Sequence, residues 1–496
     1  MEKLFYKLIY DKQLKRSMNI LEILYKAKHD ITIKELEEIL GVSKKTVTNI
    51  LEFVNPLLPT TVSLSIVDKT IKLCNIDNQP IDVAIVELAK KSISFQVLEH
   101  AFLDKGFNIQ EVAKKLFISE STLRARIRHM NKTLRLFDCS LSFYDVKFIG
   151  HEANIRYFAY TYFSEFQELY LSVCEEQLEY SANIYAHMKK TFEDNNVKLM
   201  NYSYQQLTRL LLVTRDRLIT KKYIEIKEDF IQRMNRRKSY RGFKKLYGKE
   251  IANHLGENEV PESEIVWAYI ASITTIVYSD NAKRELYRDE EDIQLHKEKI
   301  VRILAKVSET FNIQKEDEKN FINIHSAYLI NISLLTEISP VFQIGSTAVK
   351  KYVLSNLEYL YNVWFECLSK LDENEFLVIT DIHNIVVQLT MISSQFIYKQ
   401  KSQAERILYS FEGEPGFLVY LEALAKSLLP KSVEGVFIYN EAVNMQLIEI
   451  LQPDIVVYNY KESEKITNCK TLRMSHIPEL QEWSLLKELI INLDCK

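Results

Sequence analysis

Two stretches near the start of the chain repeat one pattern, and no other feature limits the possible fold as tightly. The first is ITIKELEEILGVSKKTVTNILEFV (31–54). Ile33, Leu36 and Leu40 recur at helical spacing, and the Gly41-Val42-Ser43 turn then interrupts them. Ser43 is placed to cap a second helix in which Val47, Ile50, Leu51 and Val54 share an apolar face. The second stretch is FNIQEVAKKLFISESTLRARIRHMNKTLRLF (107–137). Here Ile109, Val112, Ala113 and Leu116 supply the first helix, Phe117-Ile118-Ser119 the turn, and Ser119 the cap. Leu123, Ile127, Met130 and Leu134 form the apolar face of the helix that follows. Two short amphipathic helices joined by a tight turn predict a helix-turn-helix. Each copy is followed by alternating residues, TVSLSIVDKTIKLCNI (61–76) and CSLSFYDVKFIG (139–150), which predict a β-hairpin. The expectation is two winged helices, over 1–80 and 81–150.

The second copy is strongly cationic. Between Glu120 and Asp138 stand Arg124, Arg126, Arg128, Lys132 and Arg135, with no carboxylate. On the helical wheel Arg124, Arg128, Asn131, Lys132 and Arg135 gather on one flank, and Ser121, Thr122, Ala125 and His129 are also expected to be exposed. An α-helix fits the major groove, where arginine bonds guanine edges and other bases neutralise phosphates. Those residues, with Arg126, are therefore candidate contacts to double-stranded DNA. Which arginine reads a base and which holds a phosphate stays open. In the first copy Lys44, Lys45, Thr46, Thr48 and Asn49 are the exposed candidates, on a helix with less charge. Residues 1–150 hold 23 bases against 18 acids, a balance of +5 in a chain of net charge −3, so the remainder carries −8. A cationic head on an acidic body suits a polyanionic partner. A solvated basic helix in a protein-binding module is the alternative.

At 496 residues the chain is too long for one core. Only 10 Gly and 9 Pro accompany 28 Tyr and 24 Phe, which favours long helices and short connections. A mainly α, multidomain protein is expected. Residues 151–400 read as successive amphipathic helices, divided by the hydrophilic stretch 279–299 into 151–285 and 286–400. IVWAYIASITTIVY (265–278) is too short to span a bilayer and reads as a buried core helix. The first residues, MEKLFYKLIYDKQLKR, lack a secretory pattern, and the cysteines stand singly. A cytoplasmic protein with no metal, no cofactor and no membrane partner is expected. Gly-rich phosphate loops, GxSxG and HExxH are absent from the sequence, so catalysis is not expected.

Beyond residue 401 the period changes. RILYSF, VEGVFIYN and PDIVVYNY read as strands, GFLVYLEALAKSLL and AVNMQLIEIL as helices, TLRMSHI as a further short strand, and LQEWSLLKELIINL as a last helix. Strands alternating with helices predict a small parallel α/β domain over 401–496.

The order of parts, two winged helices followed by FIGHEANIRYFAYTYF (148–163), resembles the Mga/AtxA family of virulence regulators from Gram-positive bacteria. That resemblance implies a DNA-binding transcriptional regulator acting as a homodimer or larger assembly. It also implies two helical-bundle phosphotransferase-system regulation domains (PRDs), whose histidines are phosphorylated by sugar-uptake phosphocarrier proteins. In the second bundle the phosphorylation candidates are His325 and His383, which sit in plausible helices, whereas the core helix expected for the first (204–226) contains no histidine. The tail resembles the EIIB domain of sugar phosphotransferase systems, but the loop SFEGEPG (410–416) lacks the phosphorylated cysteine of a working EIIB. Glu412 and Glu414 there would repel a phosphoryl group, so the tail is expected to serve docking or dimerisation. Two other readings are a phosphotransferase-system signalling protein that does not touch DNA, and a PRD-type RNA antiterminator. The latter class carries a small all-β head, unlike the paired helix-turn-helix units here.

Overall fold

The computed structural model describes residues 3–27, 30–75, 81–104, 106–166, 179, 182–184, 186, 201–202, 204–255, 259–273, 276–277, 291–345, 347–370, 378–401, 406–428, 433–460, 466 and 469–491. Of the predicted divider at 279–299, residues 279–290 lie outside them, and 291–299 belong to the helix Glu291–Thr310 instead of a linker. Two compact units emerge, Met1–Val307 with Ile322–Ile392, and Ser308–Phe321 with Ser393–Lys496.

The first unit opens with α1 (Leu4–Leu8) and α2 (Lys12–Lys26), the latter capped by the Asp11 carboxylate, which accepts from the Gln13 and Leu14 N–H groups. After β1 (Ile31–Thr32) comes α3 (Ile33–Leu40), begun by a reciprocal capping box between Thr32 and Glu35 and ended by Gly41 at φ 62°. Ser43 caps α4 (Lys44–Val54), which buries Val47, Ile50, Leu51 and Val54, the face its spacing predicts. β2 (Val62–Val67) and β3 (Thr70–Asn75) pair antiparallel about Asp68 and Lys69, both at positive φ, as a two-residue hairpin turn requires. β1 adds a third strand along β3.

The second copy follows the same plan. α5 (Ile81–Lys90) and α6 (Ile93–Phe102) lead to α7 (Ile109–Lys115), which starts in an Asn108–Glu111 capping box. Ser119 caps α8 (Glu120–Leu134), and β4 (Cys139–Leu141) pairs antiparallel with β5 (Phe148–Gly150) as the wing. α9 (Glu152–Ser164) buries Phe158, Ala159, Tyr162 and Phe163. The two copies are not separate beads. One apolar core runs without a break from Phe5 through both helix-turn-helix units and α9 to Leu212 and Val213.

The helical body that follows includes Tyr204–Ile219, Glu228–Arg236, Lys238–Leu255 and Glu262–Ile273, then Glu291–Thr310, Lys315–Ile338, Thr347–Asn356, Glu358–Ser369 and Ile382–Lys401. Val266, Trp267, Ile270 and Ala271 are buried as core, as predicted for IVWAYIASITTIVY. That helix stops at Ile273, however, short of the predicted 278. Ile276–Val277 instead forms β7, paired with β6 (Asn201–Tyr202).

Buried charges lock the second winged helix to this body. The Arg156 guanidinium, fully inaccessible, donates through Nη1 to Glu264 Oε2 at 2.6 Å, through Nη2 to Glu264 Oε1 at 3.0 Å and to the Lys222 carbonyl at 2.8 Å, and through Nε to Glu152 Oε1 at 3.0 Å. Glu264 Oε1 also accepts the Ile224 N–H at 2.6 Å. Arg217 grips both oxygens of Glu152 at 2.8 Å and donates to the Phe102 carbonyl, at the end of α6, at 2.7 Å. Every charge has an opposite partner and hydrogen bonds, the condition under which buried ions are tolerated.

In the second unit β8 (Arg406–Phe411), β9 (Glu434–Tyr439), β10 (Ile455–Tyr458) and β11 (Lys470–Arg473) form a parallel sheet in the order β11-β10-β8-β9. Alternate residues of the central strands face opposite cores. Ile407, Tyr409, Ile455 and Val457 pack with Leu418, Leu421 and Trp483, whereas Leu408, Val456 and Tyr458 pack with Val443 and Ile448. A parallel sheet covered on both faces explains why IVVY reads as an unbroken apolar run.

Candidate nucleic-acid interface

The apolar stripe of α8, Leu123, Ile127, Met130 and Leu134, is fully buried, which fixes the helix and turns the opposite flank outward. Ser121, Arg128 and Arg135, each seven residues from the next, share one exposed face, and Lys132 is exposed beside them. Ser119 Oγ accepts the Thr122 N–H at 3.1 Å and lies 2.9 and 2.8 Å from the Ser121 and Thr122 hydroxyls. These hydroxyls and the free N–H groups of the first turn form a polar tip carrying the positive end of the helix dipole.

Arg124 has a dual position. Its Nη1 donates to the Phe143 carbonyl in the wing at 2.7 Å, its guanidinium lies 5.7 Å from the Tyr144 ring centre, and Glu120 is 3.8 Å away. It thereby ties helix to wing while staying partly exposed.

Three predicted positions sit elsewhere. Asn131, predicted on the exposed flank, is buried. Its Nδ2 donates to the Leu141 carbonyl at 3.0 Å and its Oδ1 accepts the Leu141 N–H at 2.7 Å, so this side chain completes the β4 ladder. His129, predicted exposed, is half-buried: Nε2 donates to the Lys7 carbonyl at 2.9 Å and the ring meets Tyr10 edge-on. Burial, then nearby Lys15, lower its pKa from the ordinary histidine value, and its contacts to Lys7 and Tyr10 make the ring a structural one. Arg126 lays its guanidinium 5.5 Å from the Tyr10 ring centre, also against the N-terminal segment. Thr122 and Ala125, also predicted exposed, are half-buried. Both departures toward Lys7 and Tyr10 have one cause, the docking of α1 against this side of α8, which wheel geometry does not contain.

In the first copy Lys44, Lys45 and Asn49 are exposed on α4, whereas Thr46 and Thr48 are half-buried. The turns before α4 and α8 adopt the same left-handed conformation, with Gly41 at φ 62° in one and Phe117 at φ 54° in the other. Phe117 is 96% exposed.

Comparison with known proteins bears directly on these two units. Residues 11–70 match the M protein trans-acting positive regulator (MGA) HTH domain, and residues 77–163 match the Mga helix-turn-helix domain. A putative trans-acting regulator of Streptococcus pneumoniae serotype 4 (strain ATCC BAA-334 / TIGR4) is 29% identical over 42% of this chain and 41% of its own length. The capsule synthesis positive regulator AcpA of Bacillus anthracis is 30% identical over 29% of this chain and 30% of its own. The chain thus aligns with less than half the length of either. The anthrax toxin expression trans-acting positive regulator of Bacillus anthracis is 21% identical over 96% of this chain and 98% of its own. These matches support a likeness to the Mga/AtxA-type trans-acting regulators, carried by the two N-terminal helix-turn-helix domains.

The Mga-type match ends at Phe163 in α9, and the two predicted phosphorylation candidates lie in the body beyond it. His325 is fully buried, its ring stacked on Trp364 with centroids 5.3 Å apart. His383 is exposed near the start of the helix Ile382–Lys401, stacked on Phe365 and placed with Nδ1 2.5 Å from the Tyr361 hydroxyl. In the tail, two N–H groups of the 410–416 loop are engaged from within. Asn459 Oδ1 accepts from Glu412 N–H at 2.7 Å, and Asn440 Oδ1 accepts from Gly413 N–H at 3.0 Å. Among the described residues no helix is long and apolar enough to cross a membrane, and no group of His, Cys, Asp and Glu is arranged to hold a metal.

Proposed function

We propose that this chain is a DNA-binding transcriptional regulator in which α8 enters the major groove and the β4–β5 wing steadies it. The observation that carries the reading is the outward face of α8, Ser121, Arg128 and Lys132, continued by Arg135 in the turn just after it, presented by a capped and tightly packed helix inside a matched Mga helix-turn-helix domain. Arg124 contributes from the wing side, and Lys44, Lys45 and Asn49 of α4 form the lesser contact. Thr46, Thr48, Thr122 and Ala125 border these faces, and Arg126 and His129 act as structural supports. In a salt-titrated gel shift on duplex DNA, R128A/K132A is expected to lower the slope of log affinity against log salt by about 1.8, since each phosphate contact contributes about 0.9. An unchanged slope refutes the assignment.

Regulation through the helical body is part of the same reading. Of the two histidines, His383 is the phosphoryl acceptor, because it is exposed whereas His325 is sealed under Trp364. In the tautomer that leaves Nε2 its lone pair, Nδ1–H donates to the Tyr361 oxygen, an arrangement that orients the ring for attack on a phosphocarrier's phosphohistidine. The added charge would bias the assembly of a homodimer or larger oligomer. The tail serves docking or dimerisation: two of its loop N–H groups, of the kind a phosphoryl carrier keeps for the anion, are filled by Asn459 and Asn440. Sedimentation of the full chain across a concentration series tests the assembly.

A further inference from the structure

The densest cationic run in the chain is not in α8. From Phe230 to Lys249 the sequence contains Arg233, Arg236, Arg237, Lys238, Arg241, Lys244, Lys245 and Lys249, and no acid, within a body that is acidic as a whole. The fold accounts for part of it. Arg233 pairs with Glu337, Lys244 with Glu262 at 2.5 Å, and Arg237 is buried. What remains is a line of exposed bases, Arg236 and then Arg241, Lys245 and Lys249. The last three recur every fourth residue along the helix Lys238–Leu255, so they stand on one face about 6 Å apart.

Three properties of this line define its partner. Like charges four residues apart destabilise a helix, and Lys245 and Lys249 have no ion pair among the described residues to relieve them. The bases form a row along one helix face, not a convergent cluster, so they suit an extended polyanion better than a single small anion. Among the described residues of 228–255 no large apolar side chain is exposed, whereas a protein interface needs an apolar centre. Contacts to a nucleic-acid backbone need only charge at regular intervals. Arg241 is positioned as well as charged, since its Nη1 donates to the Asn235 and Arg236 carbonyls at 3.1 and 2.7 Å and so holds the base at the end of the preceding helix.

We propose that the Arg241–Lys245–Lys249 face is a second DNA contact, which binds the phosphate backbone of duplex flanking the sequence held by the winged helices. The inference rests on the DNA-binding reading and adds to it a sequence-independent contact made by the helical body. Its test is the salt dependence of full-chain binding to a long duplex, wild type beside K245A/K249A and K245R/K249R. Both lysines are exposed and alanine favours helix, so the alanine variant should unfold at the wild-type temperature, which a thermal melt verifies. The expected result is a slope reduced by about 1.8 in K245A/K249A and retained in K245R/K249R. Between 50 and 200 mM salt, wild-type affinity then falls about twelvefold more than that of the alanine variant. Wild-type binding with an unaltered slope in K245A/K249A overturns this proposal alone and points the row at an acidic protein. Loss of equal size in a R128A/K132A background confirms that the two contacts are separate. Absence of salt-dependent binding by the wild type overturns both readings together.

Discussion

Replacing Arg156 with methionine tests whether the winged-helix region and the body are held together by buried charge. Methionine keeps most of the side-chain length and its contact with Trp267, but it strips Glu264 of two charged hydrogen bonds and Glu152 of one. Glu264 is as inaccessible as Arg156, and the Ile224 N–H would be its remaining named donor. Removing one member of a buried pair costs about 3–5 kcal/mol, because the other charge stays behind unpaired. The chain has two units and need not unfold in one step, so a local probe is preferable to a global midpoint. In hydrogen exchange, amides of α9 and of the helix Glu262–Ile273 should lose protection by roughly a hundred- to several-thousand-fold. Adding E264Q to R156M removes the orphaned charge while an amide oxygen can still accept the Ile224 N–H, so most of that protection should return. Protection within tenfold of wild type in R156M, or no recovery in the double variant, would refute the reasoning.

The left-handed turns give a paired prediction. G41A should lower stability by about 1 kcal/mol, since φ 62° is costly for alanine although no atom obstructs the added methyl, and F117G should raise it by a similar amount; opposite signs in parallel thermal melts are the check. Incubation with a phosphorylated phosphocarrier should label wild type and H325A but not H383A, read by acid-labile phosphate incorporation, and equal labelling of H383A would remove His383 from its role.

The helix-turn-helix units are legible in the sequence because their determinants are local. Ser43 and Ser119 each cap the helix that follows by accepting the N–H three residues on, and the spacing of Val47, Ile50 and Leu51, or of Leu123, Ile127 and Met130, is set by helical geometry alone. The α/β tail is legible for the same reason. Asn131 is not, because its role is a hydrogen bond to Leu141 in the wing, and a polar residue looks the same on the wheel whether water or a strand satisfies it. His129 and Arg126 are misplaced because a segment more than a hundred residues earlier covers them. Arg156 and Glu264 lie 108 residues apart, a separation across which no periodicity carries information. The run 230–249 is plain in the sequence, but the outward-facing bases emerge only once Glu337 and Glu262 have claimed Arg233 and Lys244.

The unbroken core from Phe5 to Val213 makes the paired reading heads a ruler with no sliding scale. Two heads on a flexible tether would accept half-sites at many separations and angles, each at a small entropic cost. Here α4 and α8 are set into one packed solid, so a duplex that engages both must itself take up any mismatch in twist or curvature. Selectivity then accrues at base pairs that neither helix touches, through the ease with which the intervening steps deform. On the proposed reading, in which α4 adds little charge, discrimination by the stiffness of the DNA would follow from how the heads are joined.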